Sequence, residues 1–146
     1  MRGRIALLAA ALFVFANAAE AQNEFQRQVR SQIEGATGFL ESAGYGMSAD
    51  PTTGSLNQGS SETFTVRLVG GMEYALVGVC DNDCSDIDLE VFGPNGNSLD
   101  SDFEVDDFPV LEFTAPSNGS YTVEVSMPGC SVEPCYYGVG TFMRSN

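Results

Sequence analysis

Between residues 23 and 43 the apolar side chains fall at Phe25, Val29, Ile33, Ala36 and Leu40. Steps of four, four, three and four residues draw one stripe on an α-helix. Gln26, Arg27, Arg30, Gln32, Glu34 and Glu41 lie off that stripe. Gly35 weakens the middle of the helix, and Gly44 is a natural stop. The stripe either packs on the body of the protein or binds a partner helix, in which case the chain self-associates through residues 22–44. Residues 45–61 are rich in Ser, Thr, Gly, Asn and Pro and read as a linking loop.

Beyond residue 61 the period changes from 3.6 to 2. Phe64, Val66 and Leu68 alternate with Thr63, Thr65 and Arg67, and Gly70-Gly71 turns the chain into a second strand over 72–79. Ile87, Leu89 and Val91 point one way and Asp86, Asp88 and Glu90 the other, before the turn Pro94-Asn95-Gly96-Asn97. Weaker strands cover 99–103 and 108–113. After Pro116-Ser117-Asn118-Gly119 come the inward row Tyr121, Val123 and Val125 and a last strand over 136–143, in which Tyr136 and Tyr137 take opposite faces. Seven short strands separated by Gly-rich turns predict a mainly β chain, an antiparallel β-sandwich preceded by one amphipathic N-terminal helix.

The first 21 residues stand outside this pattern. Arg2 and Arg4 precede an unbroken apolar run from Ile5 to Ala16, followed by the small-residue sites Ala16-Asn17-Ala18 and Ala19-Glu20-Ala21. That is the form of a secretory signal peptide cut after Ala21. The run is shorter than the roughly 20 residues a membrane span needs, so no span is expected after removal, and the product is periplasmic or secreted.

Composition narrows the chemistry. The 146 residues carry 20 acidic and 6 basic side chains, all six of them Arg, and no His, for a formal charge of −14. Removing residues 1–21 takes away Arg2, Arg4 and Glu20 and leaves −15. Without His there is no Ser-His or Cys-His nucleophile pair, and without Lys no Schiff base or P-loop. So acidic a chain is not a nucleic-acid binder, since that affinity comes from neutralising phosphates. Carboxylate pairs for glycoside hydrolysis are many but none is singled out, and there is no Trp to floor a sugar cleft.

The cysteines agree with export. Cys80 and Cys84 bracket three residues, and Cys130 and Cys135 bracket four. Four cysteines allow three pairings. Proximity favours Cys80 with Cys84 and Cys130 with Cys135, each closing a loop whose entropy contributes only about 2 kcal/mol; a four-Cys zinc site is the rival, without a CxxC spacing. Asp81, Asp83, Asp86 and Asp88 crowd into and beside the first loop. Calcium takes 6–8 hard oxygen ligands, and a bent loop held by a disulfide brings such carboxylates onto one ion. The alternative is Asx turns and a solvated strand face. A second cluster, Asp100, Asp102, Glu104, Asp106 and Asp107, lies near an expected loop and reads as solvated.

The order of features over residues 62–143 carries a resemblance. Phe64-Thr65-Val66, Gly70-Gly71 and Tyr74-Ala75-Leu76 precede Asp86-Ile87-Asp88-Leu89-Glu90-Val91 and Pro94-Asn95-Gly96-Asn97, and Phe113-Thr114-Ala115-Pro116 precedes Gly119-Ser120-Tyr121-Thr122-Val123. This resembles the bacterial pre-peptidase C-terminal (PPC) domain. The resemblance implies a jelly-roll-like sandwich over 62–146, acting as a non-catalytic accessory module of secreted proteases that serves secretion or substrate or matrix binding, sometimes with calcium. The N-terminal helix and the two cysteine loops lie outside the family's pattern. The expectation is an exported module that binds a protein or a polysaccharide through its loops, with calcium as its only expected cofactor. A structural protein self-associating through its helix and a carboxylate hydrolase are the alternatives.

Overall fold

The computed structural model describes residues 6–145, with side chains from residue 24 onward. Residues 1–5 of the expected leader lie outside the described residues, and 6–21 continue the first helix as backbone. That helix, α1 (Ala6–Ser42), is followed by nine strands: β1 (Tyr45–Met47), β2 (Thr52–Leu56), β3 (Ser61–Leu68), β4 (Glu73–Cys80), β5 (Cys84–Phe92), β6 (Ser98–Asp102), β7 (Val110–Thr114), β8 (Gly119–Cys130) and β9 (Cys135–Arg144).

The strands form two antiparallel sheets. In one, β9 pairs with β4 on one side and with β1 and β2 on the other, and β7 extends β4. The other runs β3-β8-β5-β6. This is the predicted β-sandwich. The alternating rows close on one another between the sheets: Ile87, Leu89, Val91, Tyr121, Val123, Val125 and Met127 are completely buried, with Leu76 and Leu111 opposite. Tyr137 enters this core and Tyr136 leaves it, as alternation requires.

α1 adds a third layer. Its stripe, Val29, Ile33, Ala36 and Leu40, is buried on the outer face of the β4-β9 sheet against Ala75, Val77, Val79 and Phe142. This covering explains why β4 is buried on both faces and reads as a continuous apolar run. The helix comes close because β9 offers glycine beneath it: a Cβ on Gly138 would sit 2.8 Å from Val29 Cγ1. Of the two expected roles for the stripe, the structure takes the first, packing on the chain's own body. All four buried stripe residues lie after Ala21, so cleavage there leaves this layer whole. The helix ends at Ser42, and Gly44 takes a φ of 88°, open to glycine without a Cβ penalty.

Residues 45–61, expected to be a loop, contain two strands. β1 and β2 complete the outer edge of β9, Tyr45 opposite Arg144 and Leu56 opposite Cys135. Their Thr-Gly-Ser composition hid them because only Tyr45 and Leu56 carry buried apolar side chains there. Gly54 is needed for a packing reason, since a Cβ would meet the Tyr137 hydroxyl and Glu62 at 2.7 Å. β1 is anchored by Tyr45 Oη, which donates to Glu73 Oε1 at 2.7 Å, while the Arg144 guanidinium lies 3.3 Å from Glu73 Oε2 and 4.9 Å above the Tyr45 ring. Burial first, then the bond to Glu73, pushes the Tyr45 phenol up to about 12.

Candidate binding surface at the acidic end

Both favoured disulfides form, Cys80–Cys84 and Cys130–Cys135. Though close in sequence, each closes a corner between the sheets: the first joins β4 to β5, the second β8 to β9. The corners meet, because Cys84 lies opposite Cys130 and the Asp83 carbonyl accepts from Ser131 N at 2.8 Å and Ser131 Oγ at 2.9 Å. α1 clamps the first corner from outside. Gln32 Nε2 donates to Cys80 O at 2.6 Å, and Gln28 Oε1 accepts from Asn82 N at 3.1 Å.

This arrangement gives the four aspartates expected to share an ion different surroundings. Asp81 is turned inward and 1% exposed. Its Oδ1 accepts from Asp83 N at 3.0 Å and its Oδ2 from Tyr136 N at 2.7 Å. Its carboxylate therefore braces the corner as an Asx turn bridged to β9. Asp83 is half-buried, its carbonyl already engaged by Ser131. Asp86 and Asp88 follow on the outer face of β5, at a bulge where Asp86 faces Gly129 and Asp88 faces Ser126. Among the described residues no group of three or more His, Cys, Asp or Glu is placed to hold a metal.

Asp86 and Asp88 instead join the field of the second cluster. Asp86 Oδ1 is buried without a hydrogen-bond partner. Burial, then the charge of Asp106, raises the Asp86 carboxyl above the ordinary carboxylate range; burial, then Asp86, Asp102 and Asp106, does the same to Asp88. Both groups bind protons more tightly folded than unfolded, so stability is greatest below the unfolded value and declines as pH rises through the raised folded values. Urea midpoints should therefore be higher near pH 4.5 than at pH 7, and Asp86→Asn should shrink the difference. A midpoint that falls on acidification in both chains would contradict this placement.

The second cluster is solvated only in part: Glu104 and Asp107 are exposed, and Asp100, Asp102 and Asp106 are half-buried. Asp100 and Asp102 occupy inward positions of β6, opposite Val91 and Leu89. Asp102 Oδ2 accepts from Val110 N at 3.0 Å, and Asp100 Oδ2 from Glu112 N at 2.9 Å. Two carboxylates of one sheet thus cap the free edge of β7 in the other. Inward-pointing charges also guard such an edge against pairing with other chains.

The loop between these strands is longer at both ends than the expected strands leave it. Strands over 99–103 and 108–113 would include Phe103 and Phe108, but β6 stops at Asp102 and β7 starts at Val110. The backbone between them is pinned. The Asp106 carbonyl accepts from Ile87 N at 3.0 Å and the Pro109 carbonyl from Gly78 N at 2.9 Å. Asp106 Oδ1 accepts from Phe108 N at 2.9 Å, and Asp102 Oδ1 from Glu104 N at 3.1 Å. Gly78 is required because a Cβ would strike Pro109 Cγ at 2.8 Å. On this fixed backbone the large apolar side chains face water: Phe103 is 61% exposed, Val105 85%, Phe108 43% and Val110 40%. Four apolar side chains are thus exposed within eight residues, grouped and not scattered singly. The available signal was apolar residues set singly among acids next to a proline, in a stretch where strand alternation fails.

A second concavity, about 710 Å³, lies between α1 and β2, bounded by Arg30, Glu34, Thr37, Thr53, Ser55 and Tyr136 among others. Among the described residues Glu34 is the only carboxylate in its lining, whereas glycoside hydrolysis ordinarily uses two. Glu90 and Glu124 are cross-strand partners, but they sit on the open outer face of the β3-β8-β5-β6 sheet. No helix among the described residues is long and apolar enough to cross a membrane.

No family model matches the chain, and no curated protein matches it. Among solved structures it is similar to PliG of Aeromonas hydrophila, a periplasmic inhibitor of g-type lysozyme, at 14% identity and a TM-score of 0.47 over 64% of this chain and 84% of that one. It is also similar to the Glycosylation Associate Protein (Gap123) complex from Streptococcus agalactiae, at 14% identity and a TM-score of 0.40 over 64% of this chain and 40% of that one. Neither likeness assigns a function to this chain.

Proposed function

We propose that the chain is exported through its N-terminal leader and acts as a non-catalytic binding module that recognises a partner protein through the β6–β7 loop. The observation that carries this reading is the exposure of Phe103, Val105, Phe108 and Val110 on a backbone held by Ile87 and Gly78. A pre-ordered loop gives up little conformational freedom on binding. Two formed disulfides suit an oxidising compartment. The sandwich and its loop-borne surface are also what the resemblance to PPC modules would lead one to expect, and we place the chain with such accessory modules.

Replacing Phe103 and Phe108 by Ser tests the reading. Phe103 is 61% exposed and Phe108 43%, so the melting temperature should fall by no more than about 5 °C, while capture of partner from the extracytoplasmic fraction should be lost. If the double variant captures the same protein as the parent, the loop is not the binding surface. Running both chains in calcium and then in excess chelator tests the ion. On our reading calcium acts as a stabiliser beside Asp86 and Asp88 and raises the melting temperature without contributing the contact. Identical melts in the two conditions would remove calcium from the proposal.

A further inference from the structure

The surroundings of the β6–β7 loop identify the kind of protein it fits. Between Arg67 and Arg144 the chain contains no cationic residue, and the same stretch contains fourteen acidic ones. β4 to β8 and every loop joining them are therefore without positive charge. The described cations lie elsewhere: Arg27 and Arg30 on α1, Arg67 on β3, and Arg144 at the end of β9, paired with Glu73. Within the loop the carboxylates divide into two kinds. Asp102 and Asp106 are engaged by backbone N–H groups. Glu104 and Asp107 are exposed and interleave with the apolar side chains.

An apolar contact ringed by one sign of charge selects its partner. A neutral or acidic surface closing over Phe103 and Val105 would desolvate Glu104 and Asp107 without compensation. A neutral or anionic polysaccharide carries no positive charge to compensate these carboxylates. Resting on the binding role proposed above, we infer that the loop docks on a cationic protein surface, an apolar seat ringed by Arg or Lys side chains. The acidic face draws that partner in by long-range attraction, which characteristically speeds association by ten- to a thousand-fold and fades with salt.

The test uses the full chain with disulfides intact, carrying a photo-crosslinking amino acid at Val105 in its native cells. The control places it at Val69, 55% exposed beside the Gly70-Gly71 turn at the opposite end of β4. The inference predicts one protein adduct at position 105, absent at 69, with the cross-linked peptide among Arg and Lys residues. For the purified pair, Glu104→Lys with Asp107→Lys should weaken binding at least tenfold at low salt, as should raising salt from 50 to 500 mM. The neutral pair Glu104→Gln with Asp107→Asn should fall between, so a misfolded charge-reversed chain does not block the result. A protein adduct at 105 with a neutral or acidic contact, or salt-independent binding, overturns the cationic partner while leaving the binding role intact. No protein adduct at 105 overturns both.

Discussion

An Ile33→Asp chain is expected to lose at least about 4 kcal/mol of stability, and α1 with it. Ile33 is 4% exposed and sits on β9 where Gly138 and Gly140 remove side chains from beneath it. Truncating a buried Ile to Ala typically costs 2–5 kcal/mol. Aspartate adds a carboxylate to a cluster made of Val29, Ala36, Leu40, Ala75, Val77, Val79 and Phe142, so the group either takes up a proton or drives the helix off the sheet. Leaving the sheet also withdraws Gln28 and Gln32 from Asn82 and Cys80, so damage should reach the disulfide corner. The measurement is urea unfolding with limited proteolysis near Gly44. A variant within about 1 kcal/mol of the parent and equally protease-resistant would mean that α1 is not part of the folded body.

Asp81→Ala is expected to cost about 3 kcal/mol, equally in calcium and in chelator. The substitution leaves the Asp83 and Tyr136 amides without their 3.0 and 2.7 Å acceptors, and each buried donor left unmade costs roughly 1–3 kcal/mol. Burial raises the Asp81 carboxyl even though the Tyr136 and Asp83 amides pull it down, which marks a group held inside the fold. A cost confined to calcium-containing buffer would return Asp81 to the role of ion ligand. A cost below about 0.5 kcal/mol in both buffers would deny it the bracing role.

These two residues also show what sequence conveys and what it conceals. Ile33 was legible because the helical period depends only on neighbours along the chain, and seven of the nine strands were legible for the same reason: Ile87, Leu89 and Val91 alternate whatever they pair with. The loop reading of 45–61 failed because β1 and β2 owe their existence to β9, ninety residues away, and not to their own apolar content. Asp81 stays open in sequence between an ion ligand and an Asx turn, and Asp100 and Asp102 read as solvated, for a related cause. A carboxylate looks the same in sequence whether it meets water, an ion or an amide, and the amides they accept from, at Tyr136, Glu112 and Val110, belong to strands brought near only by folding.

Local chemistry, then, determined the sandwich, its helix, the two disulfides and the one-sided charge, because period, spacing and composition are properties of short stretches. The tertiary structure alone decided that the helix stripe is spent on the chain's own sheet and that Asp81 is a brace. It alone decided that Phe103 and Phe108 stand in water between acids rather than inside strands. Burial and partnership belong to pairs of distant segments, and no local pattern contains them.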